Sequence, residues 1–213
     1  LCRRFAVEVG LPATATVAAV IDVAVKESRT LELRVTGSYE PDHVSLPDKS
    51  GYGNTSPAYT FGVHGCCVRV DIVTGLTNIV HYWAAHDSGR VLHPQRARGQ
   101  VVGGVIQGLG FALAEATSVE DNGHILNPGY LDNRVATFAD AIPVECIFTS
   151  TFEEHGPNGA KTIAEPPIIP VAACVANAIH NATGTRQKRL PMTPERVWRS
   201  LQEDPLDRDL FCR

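Results

Sequence analysis

Glycines crowd into one helical stretch of the sequence, and they constrain the fold more than any other feature. Between Gln95 and Ala116 the apolar residues follow helical spacing, which predicts a helix. Five glycines lie in this stretch: Gly99, Gly103, Gly104, Gly108 and Gly110. A glycine inside a helix costs up to about 1 kcal/mol relative to alanine, so such a concentration needs a physical reason. The usual reason is the close approach of another backbone or of a ligand.

Two explanations for these glycines stay open from the residues alone. Pairs of them are four residues apart, which suits a helix that packs closely on another backbone. The amides of Gln100 and Gln107 lie among them, and amides suit a ligand whose planar edge carries donors and acceptors. A nucleotide-binding loop is disfavoured. The phosphate-loop pattern is absent, and Gly108 and Gly110 are not followed by the third glycine of the Rossmann fingerprint.

The remaining sequence predicts further helices. Helical spacing with capping signals predicts helices over residues 12–27 and 168–182, the second ended by Gly184. A last helix is predicted to begin at Thr193 and Pro194, an N-cap followed by a proline in the first turn.

Strand patterns alternate with these helices. They cover residues 31–35, 68–72, 78–83 and 145–149. A tight turn at Thr74 and Gly75 joins the middle two into a hairpin, and residues 37–57 are predicted to form a surface excursion. Because helices mix with hairpins instead of alternating as βαβ units, we predict the α+β class. Mixed sheets and hairpins would pack with helices in a single domain over residues 1–213.

Composition and charge exclude several function classes. Nineteen Lys and Arg against 23 Asp and Glu leave a formal net charge of −4, with no broad basic field for a nucleic-acid backbone. No apolar run approaches the roughly 20 residues that span a bilayer, and no signal-peptide pattern is visible. We therefore expect a cytoplasmic chain that binds neither nucleic acid nor membrane. The six cysteines contain no CxxC pair, which disfavours a zinc ribbon.

Glu165 is a carboxylate placed between apolar residues. It follows Ile163 and Ala164 and precedes Pro166 and Pro167. Such a carboxylate either caps the helix that follows or sits in a dry pocket with a raised pKa. In the second case the prolines would hold it on a stiff loop as a general base. The residues alone leave both alternatives open.

The histidines and cysteines do not make a convincing metal site. Neighbouring residues on a strand point to opposite faces, so Cys66 and Cys67 cannot easily chelate one ion together with His64. Three further histidines lie near Asp87, and we interpret them as structural or surface residues. They are His81, His86 and His93.

Four ordered motifs carry a family resemblance. They are DSGRVLHP at residues 87–94, GQVVGGVIQGLGFALAE at 99–115, GAKTIAEPP at 159–167 and LPMTPERV at 190–197. Together they resemble the C-terminal part of the molybdopterin-binding subunit of the xanthine oxidase family of molybdenum hydroxylases. Residues 51–201 match strongly and residues 1–50 weakly. The resemblance implies the fold of the second molybdopterin-binding domain of these enzymes.

The resemblance also implies roles for individual residues. Glu165 takes the position of the glutamate beside molybdenum, which acts as the catalytic base. Gln100 takes the position that hydrogen-bonds the pterin, and Gly99 and Gly103 let the helix approach the cofactor closely. Ala164 belongs to the same cofactor-binding set. No residue of this chain is expected to ligate the metal directly.

The activity that the resemblance implies is that of a xanthine dehydrogenase or aldehyde oxidase type of enzyme. It would hydroxylate an aldehyde, a purine or another N-heterocyclic small molecule with water-derived oxygen. A complementary molybdopterin-binding chain would complete the site in a hetero-oligomer, with FAD and iron–sulfur clusters on partner subunits. Thr162 and Ala164 stand where the family most often has glycines, and their side chains would either crowd the metal or shape the substrate pocket. The alternatives are a non-catalytic assembly or cofactor-carrying subunit and a binding domain without a cofactor.

Overall fold

The computed structural model describes residues 10–12, 14–27, 36–41 and 44–202 of the 213-residue chain. The chain divides into two compact units, Leu1–Val44 and Ser45–Arg213. The prediction of one domain over residues 1–213 stays a prediction.

The first unit contains one described helix. Helix α1 spans Val17–Glu27, and the hydroxyl of Thr16 accepts a hydrogen bond from the Ala19 N–H at 3.3 Å. The helix predicted over residues 12–27 is therefore confirmed from residue 17 onward, with Thr16 at its N-terminus. The strand predicted over residues 31–35 lies outside the described residues.

A three-stranded mixed sheet forms the framework of the second unit. Strand β1 spans Phe61–Val70 and pairs antiparallel with β2, Thr77–Asp87, which confirms the predicted hairpin. Strand β3, Val144–Phe148, pairs parallel with β2, so the order is β1-β2-β3. Strand β1 begins earlier than predicted, and Ile72 lies in the turn instead of the strand.

Three helices complete the second unit. They are α2, Pro94–Leu113; α3, Val171–Thr183; and α4, Pro194–Gln202. Helix α3 ends at Gly184 in the left-handed conformation, with φ of 74°, as its predicted C-terminal role requires. The Thr193 hydroxyl accepts from the Arg196 N–H at 3.4 Å, which confirms the predicted start of α4.

The core lies between the sheet and these helices. Its buried side chains are Tyr82, Ala84, Val101, Val105, Leu109, Ala112, Val144, Val171, Val175, Ile179, Met192 and Val197. Helix α3 packs on β1, and α2 packs on α3 and on β3. The predicted α+β class is confirmed. In the described part of the chain, the helices are too short or too polar to cross a bilayer.

The glycines of α2 divide into two faces with different surroundings. A Cβ at Gly104 would lie 2.8 Å from the Cβ of Pro167, and one at Gly108 would lie 2.6 Å from the Cβ of Val171. These two glycines let α2 approach the start of α3, as the close-packing explanation requires. A Cβ at Gly99 or at Gly103 would meet nothing within 4 Å. Close packing therefore does not explain this second pair.

The two faces predict opposite effects of the same substitution. Gly108→Ala forces a methyl group against Val171, so the free energy of unfolding should fall by about 1–3 kcal/mol. Gly103→Ala meets open space and should raise it by up to about 1 kcal/mol through helix propensity. Urea unfolding of both variants measures the difference. Equal effects of the two substitutions would contradict the division into faces.

Candidate functional site

A largely buried ion pair fixes the segment that leads to Glu165. The Nζ of Lys161 lies 2.7 Å from Oδ2 of Asp87, at the end of β2, and the two side chains are only 11% and 15% exposed. The Asp87 carboxylate also accepts hydrogen bonds from the Thr151 hydroxyl and, at 3.1 Å, from the Gly89 N–H. The Lys161 ammonium and these hydrogen bonds lower the pKa of Asp87 to about 2. Asp87 is therefore ionised at neutral pH.

Backbone hydrogen bonds extend the same connection. The Arg90 N–H donates to the Gly159 carbonyl at 2.7 Å, and the Lys161 N–H donates to the Ser88 carbonyl at 2.8 Å. Gly89 lies between these bonds with φ of 63°, and a Cβ there would collide with the Gly159 carbonyl oxygen. Only glycine fits this position without strain. The loop after β2 and the segment before Glu165 are thus held side by side.

Gln100 joins this segment to helix α2. Its Nε2 donates to the Ala164 carbonyl at 2.7 Å across 64 residues of sequence. A cavity of about 750 Å³ opens beside this bond. It is lined by Gln100, Gly103, Gly104, Gln107, Ala164, Glu165, Ile168 and Ile169.

The cavity brings together most of the site residues that the sequence predicts. Gln100, Gly103, Ala164 and Glu165 all line it. Gly99 is on the same helix, one turn before Gly103, but does not line the cavity. Gln107, which the sequence singles out among the glycines, also lines it, and the apolar Ile168 and Ile169 were not predicted. Apolar residues next to a proline pair carry no signal that distinguishes a cavity wall from a core.

The helix-cap explanation for Glu165 is wrong. Helix α3 begins at Val171, and its N-cap residue is Pro170, with no side-chain hydrogen bond to the cap. The Glu165 carbonyl accepts a hydrogen bond from the Ile168 N–H at 3.0 Å, and this turn directs the chain toward α3. The Glu165 side chain is exposed and faces no partner within the described residues, so the dry pocket of the second alternative is not found either. The carboxylate is therefore available to a ligand.

The chemistry of the cavity lining fits an organic ligand. It presents side-chain amides, one carboxylate, glycine backbone and two isoleucines, and it contains neither cysteine nor histidine. Amides both donate and accept hydrogen bonds, as a fused heterocyclic ring requires. Within the described ranges, no group of three metal-ligating side chains occurs.

The histidines form a structural cluster that the sequence did not reveal. Nε2 of His64 lies 2.8 Å from Nε2 of His86, and Nδ1 of His64 lies 2.9 Å from the Tyr82 hydroxyl. Burial, with a smaller effect of His86, lowers the pKa of His64 to about 4. Burial also lowers the pKa of His86. The structural interpretation of His86 is therefore supported, and strand register is the signal that could have found the pair.

Two other positions also agree with a structural role. Nδ1 of His93 accepts from the Arg96 N–H at 3.3 Å and caps α2. Cys66 packs against the core, whereas Cys67 is exposed. The two cysteines do not act together, as their adjacent positions on a strand predict.

Comparison with known proteins identifies the family of this chain. A model of the molybdopterin cofactor-binding domain family matches residues 3–142. The chain is 36% identical over 169 residues to the xanthine dehydrogenase molybdenum-binding subunit of Escherichia coli O157:H7, covering 78% of this chain and 22% of that protein. It is 31% identical over 170 residues to 6-hydroxypseudooxynicotine dehydrogenase complex subunit gamma of Paenarthrobacter nicotinovorans, covering 78% and 21%. The structure of aldehyde oxidoreductase from Desulfovibrio gigas superposes with a TM-score of 0.68 at 31% identity, covering 75% and 17%.

The fold is that of a molybdopterin-binding domain of a molybdenum enzyme. The chain belongs to the molybdopterin cofactor-binding domain family, because the family match extends over more than half of its residues. The resemblance to molybdenum hydroxylases of the xanthine oxidase family is confirmed by the relatives and by the structural match. The chain spans about a fifth of the length of the curated relatives it matches.

The buried ion pair predicts a pH-dependent stability. Asp87→Asn removes the charge opposite Lys161 and should lower the free energy of unfolding by about 1.5–3 kcal/mol at neutral pH. Because the folded pKa of Asp87 lies below its ordinary value of 3.8, this stabilisation is complete above that value. This stabilisation is lost as the pH falls toward 2. The free energy of unfolding of Asp87→Asn should therefore not show this decrease at low pH.

The matched control is Glu195→Gln on α4. Glu195 pairs with Arg199 at 2.7 Å, but both side chains are more than two-thirds exposed. Breaking that pair should change stability by less than about 1 kcal/mol. Urea unfolding as a function of pH compares the two variants. An equal loss in both would contradict the central role of Asp87.

Proposed function

We propose that this chain is part of the catalytic, molybdenum-cofactor-binding subunit of a molybdenum hydroxylase. The substrate is an aldehyde, a purine or another N-heterocyclic compound, and the added oxygen comes from water. The cavity shared by Gln100, Gly103, Ala164 and Glu165 is the observation that carries the proposal. It combines hydrogen-bonding amides, an unobstructed helix face and a carboxylate.

The glycine face of α2 fits a flat cofactor. Gly103 lines the cavity, and neither Gly103 nor Gly99 has an atom within 4 Å of the position that a Cβ would take. Without side chains at these positions, a ring system can lie directly against the helix backbone. Gly99 extends this open face by one helical turn.

Gln100 is held in position to hydrogen-bond the pterin. Its Nε2 is used by the Ala164 carbonyl, which fixes the rotamer of the amide. Its Oε1 accepts no hydrogen bond from the described residues and remains an acceptor for an N–H of the ring. Ala164 contributes through its backbone carbonyl, so its role is compatible with the loss of the family's glycine.

Glu165 acts as the catalytic base of the proposed reaction. When bound, the molybdenum cofactor supplies two-electron oxidation and an oxygen derived from water. The carboxylate of Glu165 would take up the proton released when the water-derived oxygen is added to the substrate. The turn at Glu165 and the two prolines that follow keep the carboxylate at the cavity without an ion-pair partner in the described part of the chain.

The exposed face of the sheet supports a partner that completes the site. Val63, Ala85 and Ile147 lie in register across the strands. Val63 is 74% exposed and Ile147 45%, and Trp83 on the same face is 38% exposed. Apolar side chains on one sheet face usually mark a buried interface. We assign this face to the complementary molybdopterin-binding part of the subunit, since the chain spans about a fifth of its relatives' length.

The remaining redox centres belong to partner subunits in this proposal. FAD and iron–sulfur clusters would accept the electrons in a hetero-oligomeric complex in the cytoplasm. The second candidate is a non-catalytic subunit that carries the cofactor without turnover. It is favoured by one observation, the side chains of Thr162 and Ala164 where the family most often has glycines. The Glu165 experiment below separates the two candidates.

The first test concerns cofactor retention. Gln100→Ala removes an amide that bridges the Ala164 carbonyl and the pterin, so cofactor binding should weaken by about 1–3 kcal/mol. Pterin and molybdenum content of the purified complex measure this change. Gln95→Ala on the exposed side of the same helix is the control and should keep wild-type content. Equal contents in the two variants would contradict the role of Gln100.

The second test concerns the base. Glu165→Gln keeps the size and hydrogen-bonding shape of the side chain but cannot accept the proton, so turnover should fall by about 10²-fold or more. Molybdenum content and assembly should stay near wild type, because the Glu165 side chain supports no other described residue. The rate of the reductive half-reaction and the metal content are measured on one preparation. Glu154→Gln, an exposed carboxylate away from the cavity, is the control.

The outcome decides between the two candidate functions. A wild-type complex that contains molybdenum but does not react with any aldehyde, purine or N-heterocycle favours the non-catalytic subunit. A Glu165→Gln complex that is reduced by substrate at the normal rate rules out Glu165 as the base.

A further inference from the structure

We propose that Cys66 and Cys174 form an oxidation-sensitive pair, in which Cys174 is the reactive thiolate and Cys66 closes a disulfide with it. Cys66 lies on β1 and Cys174 lies in the first turn of α3, and these two elements pack on each other. Both cysteines are free, half-buried and packed against the same core. The pair is separate from the Glu165 cavity, whose lining contains no cysteine.

Strand register brings a third side chain to this pair. Cys66 lies opposite Tyr82 in the antiparallel pairing of β1 with β2, and side chains that lie opposite each other point to the same face of a sheet. Tyr82 is fully buried. The Tyr82 hydroxyl and the Cys66 thiol both hydrogen-bond the Cys174 thiol. Residues from β1, β2 and α3 therefore meet at one sulfur atom.

Two histidines extend this contact into a continuous chain of hydrogen bonds. Nδ1 of His64 lies 2.9 Å from the Tyr82 hydroxyl, and its Nε2 lies 2.8 Å from Nε2 of His86. Burial lowers the pKa of both histidines, that of His64 to about 4, so both are neutral at neutral pH. A neutral imidazole carries one N–H and one acceptor nitrogen. The position of each proton therefore sets the direction of the chain.

The unpartnered nitrogen of His86 fixes this direction. Its Nδ1 is buried without a hydrogen-bond partner in the described part of the chain. If Nδ1 carried the proton, a buried N–H would be left unpaired, which is rarer than an unpaired acceptor. His86 therefore holds its proton on Nε2 and donates to His64. His64 then donates from Nδ1 to Tyr82, and the Tyr82 hydroxyl donates to Cys174.

The sulfur of Cys174 accepts two hydrogen bonds in this arrangement, which favours its ionised form. The bond from Cys66, with a smaller effect of Tyr82, lowers the pKa of Cys174 to about 7, although burial opposes it. The same bond, together with burial, raises the pKa of Cys66. The thiolate is the nucleophilic form of cysteine. At neutral pH a nucleophile therefore lies beside a protonated thiol.

The oxidant in this proposal is hydrogen peroxide, which is small enough to reach a half-buried thiol. The Cys174 thiolate attacks one peroxide oxygen and the O–O bond breaks. The sulfur becomes a sulfenic acid, and the hydroxide that leaves takes up a proton to form water. The sulfur of Cys66 then attacks the sulfenic sulfur, and the S–OH group leaves with the Cys66 proton as a second water. Two thiols lose two electrons, and one peroxide is reduced to two water molecules.

The first test measures thiol reactivity against pH. Iodoacetamide alkylates each cysteine of the purified, reduced complex, and peptide mass spectrometry follows the rates. Cys174 should reach half of its maximal rate near pH 7. Cys146 is the matched control, because it packs against the same core but burial raises its pKa, so it should react only at higher pH. Equal pH profiles of these two cysteines would overturn the proposal.

Tyr82→Phe tests the chain of hydrogen bonds. It removes only the hydroxyl that donates to Cys174, so alkylation of Cys174 at neutral pH should slow by about threefold or more. Alkylation of Cys146 should stay unchanged. The comparison of the two thiols in the wild-type complex stands whether or not this variant folds. An unchanged rate at Cys174 in the folded variant contradicts the proposal.

The second test detects the disulfide itself. Cys67→Ser serves as the parent chain, because an exposed thiol next to Cys66 would compete with it. After treatment with hydrogen peroxide and blocking of the remaining thiols, digestion without reductant should release two peptides linked through Cys66 and Cys174. Dithiothreitol should abolish this link, and the further change Cys146→Ser should leave it unchanged.

Single substitutions in the parent chain separate the roles of the two cysteines. With Cys66→Ser, which keeps a hydroxyl donor beside Cys174, oxidation should stop at the sulfenic acid, which dimedone traps. With Cys174→Ser, Cys66 should give neither a sulfenic acid nor a disulfide. A parent chain without the linked peptides, or dimedone labelling of Cys66 in Cys174→Ser, overturns the proposal. These measurements involve neither cofactor nor turnover, so their failure leaves the proposed function intact.

Discussion

The ion pair between Asp87 and Lys161 holds the site together. It joins the end of β2 to a segment 74 residues later in the chain, and it is largely buried. A buried pair is stable only when its remaining hydrogen-bonding groups are satisfied, and here Thr151 and the Gly89 N–H satisfy the carboxylate. The ion pair thereby places the segment after Lys161 next to helix α2. The backbone bonds of Arg90 and Lys161 and the bond from the Gln100 amide to the Ala164 carbonyl hold the same segment.

The glycines of α2 serve two purposes at once. Gly104 and Gly108 bring the helix against Pro167 and Val171, which anchors the start of α3. Gly99 and Gly103 leave the helix face beside the cavity free of side chains. Helix α2 therefore packs on the start of α3 with one glycine pair and presents the proposed cofactor face with the other. Gln100 lies on this helix between Gly99 and Gly103. The glycines lower the helix propensity of α2. Each pair nevertheless removes side chains that would block a close contact.

Much of the fold could be predicted from the sequence. The hairpin, the long glycine-rich helix and the caps at Gly184 and Thr193 depend on local patterns, and the structure confirms them. The ordered motifs also indicated the family. The parallel pairing of β3 with β2 was not predicted, because strand partners far apart in sequence leave no local signal. The His64–His86 pair was also missed, although the register of the predicted hairpin could have found it.

For the candidate site, the sequence by itself singled out the candidate residues: an amide among glycines, and a carboxylate before two prolines. It left open whether Glu165 caps a helix or lies in a dry pocket. The tertiary structure excludes the cap, since α3 begins six residues later and its first turn takes no hydrogen bond from this side chain. The meeting of Gln100 with Ala164 was likewise decided in three dimensions. Backbone pairing and a buried ion pair act between segments that are distant in the chain, and local composition cannot encode their geometry.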